Sequence, residues 1–212
     1  MQNFSVTIIL YISMKEIIFD IKNFSYLTGE LPDVSFIPMM TRRKLDNFGR
    51  AALCTLYKVF ENSGVALVFS SCFGDFERVK KLTTQLKEEG EVSPAGFSAS
   101  VHNASVGLFS ILEKIKTGYN AISAGEKSFA YGLLEGILTT KEQDCIYCYT
   151  EDFDEVKSLS VLLVQAADGE FLLREKSENA EVSDTFEDFV KFLNDEKEFF
   201  VSDIFEIARV NR

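Results

Sequence analysis

Tyr119-Asn120-Ala121-Ile122-Ser123-Ala124-Gly125-Glu126-Lys127-Ser128-Phe129-Ala130 reads as a short strand running into a helix. Residues 119–123 supply the strand, and Phe129, Leu133, Leu134 and Ile137 recur at the spacing of one helical face. The same alternation extends upstream. Residues 65–69 (Val-Ala-Leu-Val-Phe) are a continuous apolar run, as expected of a strand buried on both faces. Residues 75–90 form a charged amphipathic helix pattern, and Pro94-Ala95-Gly96-Phe97 reads as a break. A helix over about 100–116 is expected next, with Val101, Ala104, Leu108, Ile111 and Ile115 on one face. Nearer the start, residues 15–21 read as a first strand, followed by a loop with Gly29, Pro32 and Pro38. Thr41 then stands as the N-cap of a helix carrying Leu45, Phe48, Ala52, Leu56 and Val59, with Gly64 as its stop.

Downstream, strands are expected at 145–149 and 159–166, and Asp168-Gly169 signals a hairpin into a last strand over 170–174. Strand–helix alternation to residue 150, followed by a hairpin, predicts an α/β fold with a mixed sheet flanked by helices in a single domain. Residues 15–175 make up that domain, residues 1–14 an N-terminal extension, and residues 176–212 an acidic segment of the same domain with a helix over 184–193.

The charge balance excludes one class of function. A net charge of −11 leaves no basic footprint for phosphates, so no nucleic-acid partner is expected. Arg42-Arg43-Lys44 and Lys80-Lys81 read as solvated helix faces. Cys54, Cys72, Cys145 and Cys148 sit among apolar neighbours, which suggests reduced thiols and a cytoplasmic location. The apolar run over residues 6–12 has no preceding Lys or Arg and is far too short to span a bilayer, and either Met1 or Met14 could be the start.

Three segments resemble, in order, the N-terminal half of β-ketoacyl synthases, a thiolase-like fold. The first is residues 68–75, Val-Phe-Ser-Ser-Cys-Phe-Gly-Asp, where a buried strand opens into a small-residue loop. The second is residues 93–107, Ser-Pro-Ala-Gly-Phe through His102-Asn103-Ala104-Ser105-Val106-Gly107, similar to the family's stretch leading into its interface helix. The third is residues 119–130, similar to the strand–elbow–helix that bears the family's nucleophilic cysteine. The resemblance covers roughly residues 45–175.

It implies a thiolase-like half-domain and places Glu126 where the nucleophile would stand, so no residue is assigned a catalytic role. A carboxylate is a poor acyl acceptor, whereas a thiolate at a helix N-terminus is activated by the dipole. Glu126 is either a favourable first-turn acid or a functional one that mimics a malonyl carboxylate or plugs an acyl channel. The family's two catalytic histidines belong to its C-terminal half, and His102 is the single histidine here. The resemblance therefore implies a non-catalytic subunit of the chain-length-factor type, paired with an active ketosynthase or with itself, in fatty-acid, polyene or polyketide synthesis. An acyl carrier protein would be engaged only indirectly. The alternatives are a residual decarboxylase or thioesterase using Glu126, and a ketosynthase-like binding module without acyl chemistry. Asn103, Ser123, Glu126 and Phe129 are the pocket or interface candidates, and the segment 118–130 is expected at a subunit interface.

Other patterns carry less. Cys145-x-x-Cys148 has metal-knuckle or redox spacing, but lies in a strand-like run where positions three apart face opposite ways, with no second ligand pair. Gly125-Glu126-Lys127-Ser128 lacks the order of a phosphate-binding loop, and Ser71 and Ser123 have no base–acid set for a triad. No cofactor or metal is expected.

Overall fold

The computed structural model describes residues 16–210. The expected N-terminal extension and its apolar run lie outside the described residues. Ile21–Val164 make one compact unit; the residues up to Asp20 and from Gln165 onward make a second.

In the larger unit the strand order is β3-β2-β4-β5-β1, where β1 is Ile17–Thr28, β2 Ala66–Ser70, β3 Tyr119–Ile122, β4 Cys145–Asp152 and β5 Val156–Gln165. β2 runs parallel to β3 and β4, while β4 and β5 form an antiparallel hairpin. The strand expected over 15–21 thus continues to Thr28, through residues that are half-buried or exposed rather than forming an apolar run. All five residues of β2 are buried, and the pleat explains why both faces are apolar. Leu67 and Phe69 share a core with Phe48, Ala52 and Leu56 of helix α2 (Asn47–Val59) and with Val106 and Phe109 of helix α5 (Ala104–Leu112). Ser70 and Tyr147 take the opposite side against helix α6 (Ser128–Thr139), so closely that a Cβ on Gly132 would lie 2.4 Å from Ser70 Oγ.

Several local expectations are corrected. Thr41 lies inside a one-turn helix α1 (Met39–Arg42), and Asp46 caps α2, its side chain accepting from Gly49 N–H at 3.0 Å. α2 ends at Val59, before Gly64. Pro94–Ala99 is not a break but a short helix, α4: Ser93 caps it and Pro94 sits in its first turn, where no amide donor is needed. α5 begins only at Ala104. Its buried positions are Ser105, Val106 and Phe109, so the stripe expected through Ile111 fails, and Ile111 is 75% exposed. The remaining helix of this unit, α3 (Phe76–Glu89), has the anticipated ends, an Asp75 cap and Gly90 in the left-handed conformation.

The smaller unit contains the beginning of β1, then β6 (Phe171–Glu175), β8 (Phe205–Arg209) and β7 (Phe199–Val201), in the order β1-β6-β8-β7. The hairpin expected at Asp168-Gly169 is not formed: β6 pairs antiparallel with β1 and β8. Gly169 permits that pairing, since a Cβ there would stand 2.6 Å from the Phe19 carbonyl oxygen. Nor is β6 the last strand, because β7 and β8 follow. Helix α7 (Phe186–Leu193) was foreseen, and it is closed by a capping box between Thr185 and Asp188. Phe186, Phe189 and Phe192 from α7 and Phe200 and Phe205 from β7 and β8 are buried in this unit's core.

Candidate functional site

The three family-like segments meet at the carboxyl ends of β2 and β3. β2 opens into the turn Ser71–Asp75, and β3 opens into the elbow before α6. Ser71 N–H donates to the Ile122 carbonyl at 3.3 Å, and Ser123 Oγ donates to the Cys72 carbonyl at 3.4 Å. From the second segment, His102 Nε2 lies 3.1 Å from the Ser71 carbonyl, an acceptor only, so Nε2 carries the proton. Asn103 Nδ2 donates to Tyr119 Oη at 2.9 Å. Gly107 leaves room for that phenol, since a Cβ there would come within 3.1 Å of it.

The elbow is tight. Gly125 has φ +58°, the left-handed region that glycine enters without steric penalty. Ser128 Oγ accepts from Ala124 N–H at 2.9 Å and donates to the Gly125 carbonyl at 2.7 Å, locking the turn from inside. The helix cap is Lys127, and the first turn of α6 contains no acid. Glu126 is therefore exposed at the tip of the elbow, one residue before the cap, and the first-turn reading of it is corrected. Of the other candidates, Ser123 is exposed and Asn103 half-buried, but Phe129 is core: it packs edge-on against Tyr149 with ring centroids 5.0 Å apart. Tyr147, fully buried, donates its hydroxyl to the Phe129 carbonyl at 2.7 Å and so pins the start of α6 to β4.

β3 behaves differently from the helix it feeds. Among the described residues it is the end strand of its sheet; Tyr119, Asn120 and Ala121 are exposed and Ile122 is half-buried.

Glu151, which the sequence did not single out, organises the turn. Buried at the end of β4, it accepts from Ser71 Oγ at 2.9 Å, from Cys72 N–H, and from Phe73 N–H at 3.3 Å. Burial pushes its carboxyl above the ordinary range, while these donors pull the other way. Burial likewise raises the Cys72 thiol, helped by the charges of Glu151 and Glu126. Cys72 is thus held as a thiol in an electronegative setting, the reverse of what activates a cysteine nucleophile. Cys145 and Cys148 are free, fully buried within β4, and also raised by burial. Among the described residues the arrangement presents one exposed carboxylate at an ordered elbow, a histidine bonded to a backbone carbonyl, and an end strand with no further strand beside it.

The family model for the N-terminal domain of β-ketoacyl synthases matches residues 23–154. No curated protein sequence matches. Among solved structures, the complex of the ketosynthase ApeO with its chain length factor ApeC from Xenorhabdus doucetiae contains a chain that aligns with a TM-score of 0.71 and 21% identity. That alignment covers 91% of this chain and 100% of the other. The ishigamide ketosynthase/chain length factor aligns at TM-score 0.60 and 11% identity, over 76% of this chain and 68% of its own. A type II polyketide synthase acyl-carrier protein complex with its hexaketide-bound ketosynthase, AntDE:AntF, aligns at 0.54 and 13%, over 61% and 49%. These likenesses establish the thiolase-like fold expected from the three segments. Among the described residues, no helix is long and apolar enough to cross a membrane.

Proposed function

This chain belongs to the β-ketoacyl synthase N-terminal-domain family, and from that premise we propose that it is a non-catalytic subunit of the chain-length-factor type. It pairs with an active ketosynthase that makes a fatty-acid, polyene or polyketide chain, and it helps shape the acyl pocket. The observation that carries this reading is the elbow. Its backbone is formed and locked, Glu126 stands at its tip, and the strand that feeds it is the end strand of the sheet among the described residues. An exposed edge strand is a liability that a soluble chain ordinarily blunts or pairs. Strand Tyr119–Ile122 has small or amphipathic residues that allow another backbone to approach, so pairing there satisfies it. The likeness to chains from ketosynthase/chain length factor complexes supports the same partner. A carrier protein is met through the ketosynthase, since an acidic carrier and a chain of net charge −11 repel.

The test is affinity capture of the tagged chain from its native cell, beside the Ala121→Arg variant. A ketosynthase with its own cysteine nucleophile should co-purify with the unaltered chain at a stoichiometric level. Ala121→Arg, placing a long charged side chain on the bare strand, should abolish that capture and leave the circular dichroism spectrum unchanged. Capture that survives the substitution would put the partner elsewhere. A chain that stays monomeric with no ketosynthase bound would favour the self-contained binding module.

A further inference from the structure

The β4–β5 hairpin closes through Glu151-Asp152-Phe153-Asp154-Glu155, a phenylalanine between two pairs of acids. Phe153 is 47% exposed, and its ring stacks on that of Phe73, a residue 52% exposed, with centroids 4.4 Å apart and planes 19° from parallel. Phe76 meets Phe153 edge-on at 5.0 Å.

Two half-exposed rings on adjacent loops would ordinarily be loosely placed, but here the backbone beneath them is ordered. Glu151 anchors the hairpin and takes the amide hydrogens of Cys72 and Phe73; Ser71 Oγ receives that of Gly74 at 2.7 Å. Gly74, at φ +63°, turns the chain out of the loop. The aromatic pair is therefore set before any partner arrives, which removes part of the ordering penalty of binding.

The rim is acidic. Glu77, Asp152, Asp154 and Glu155 lie on the two segments that carry the rings. Lys80 is held 3.5 Å from Glu77, and Lys81 acts on Asp152. The negative field nonetheless prevails at Asp152, where burial and then Asp46 and Glu77 keep the carboxyl above its ordinary range.

We propose that the Phe73–Phe153 platform docks a basic protein surface, one that presents an aromatic or apolar side chain flanked by lysine or arginine. The ring faces suit a stacked aromatic or a guanidinium, and the acids on either side suit its flanking cations. A second copy of this chain, also at −11, is the wrong partner electrostatically. The surface is separate from the strand edge of β3, so it goes beyond the subunit reading above.

The test uses two short peptides as probes, acetyl-Lys-Arg-Trp-Arg-Lys-amide and the same peptide with every cation replaced by Glu. Each is titrated into the isotope-labelled full chain while backbone amide resonances are followed. The cationic peptide should shift residues 72–77 and 151–155 selectively. Its affinity should fall about tenfold in Phe153→Ser, about threefold in the Asp154→Asn/Glu155→Gln double variant, and by a similar factor in about 0.5 M NaCl. The acidic peptide should leave these resonances in place. Absent or scattered shifts, equal response to both peptides, or unchanged affinity in both variants would each overturn the proposal. Ala121→Arg should leave peptide binding intact, which separates failure here from failure of the subunit reading.

Discussion

Helices α2 and α3 begin alike and are used differently. Each opens on an aspartate cap, Asp46 accepting from Gly49 N–H at 3.0 Å and Asp75 from Arg78 N–H at 3.1 Å. Both caps also lean on one guanidinium, with Arg78 2.6 Å from Asp46 and 2.7 Å from Asp75. Beyond the first turn they part. α2 buries nine of its thirteen residues, whereas α3 buries none of its fourteen, leaving Val79 and Leu86 exposed. Periodicity tells which side of a helix is apolar. It does not tell whether anything covers that side: β4 and α5 cover α2, whereas α3 meets the short α4, through Leu82 beside Gly96, and touches the Phe153 ring through Phe76 in its first turn.

The largest way to break the comparison is in α2. Leu56 is fully buried among Phe69, Phe109 and Ile146, so Leu56→Ala removes a side chain and leaves a cavity in a core that cannot fully close on it. Destabilisation of about 3 kcal/mol is expected in a urea titration, with an unchanged slope. A loss below about 1 kcal/mol would mean that this core is loosely packed and that α2 is no better supported than α3.

What was legible followed from local grammar. The elbow was legible through the likeness of residues 119–130 to the family's strand–elbow–helix, and α3 through its charged amphipathic pattern over residues 75–90. The three family-like segments were read in the right order, and their convergence depends on hydrogen bonds that cross the fold, such as Asn103 to Tyr119. Other features had no local signal. Glu151 looks like any acid in the tail of a strand, because its partners lie about eighty residues upstream in a loop. Asp168-Gly169 announces a reversal but not its recipient, and the receiving strand was β1, admitted by the missing Cβ at Gly169. Thr41 and Asp46 can both cap, and the choice between them is made by the one-turn helix that takes up Thr41. β7 and β8 lie in an acidic segment, where their short apolar runs stand out little from the charges around them.

A smaller effect concerns the shared cap. Burial, and then the hydrogen bond with Asp46, push Asp75 up to about 7 in the fold, against 3.8 for an ordinary aspartate. The folded chain therefore holds a proton that the unfolded chain has released between those values. Asp75's contribution is fully present below about 4 and is lost as pH rises through about 7. Asp46 moves the other way: its folded value is lowered, so its contribution is lost only as pH falls below the same window. Asp75→Asn keeps an oxygen to cap α3 and removes the titration. Relative to the unaltered chain, the variant should gain on the order of 1 kcal/mol between pH 5 and pH 8. Parallel stability curves across that interval would show that Arg78 neutralises both carboxylates without a shared proton.

The smallest effect is the sharpest reading of the comparison. Leu86 is 52% exposed and α3 buries nothing, so Leu86→Ala should change stability by less than about 0.5 kcal/mol. Alanine also keeps the helix propensity of leucine, which isolates the packing contribution from the backbone one. The companion measurement is amide exchange, because a helix tied down at one end should open from the other. Amides near Glu89 should exchange faster than those near Arg78, and all of α3 faster than the middle of α2 around Ala52. If Leu86→Ala instead lost more than about 1 kcal/mol, its side chain would have to be covered in solution. A concentration dependence of that loss would then identify the cover as a second copy of the chain, and its absence would identify an internal contact.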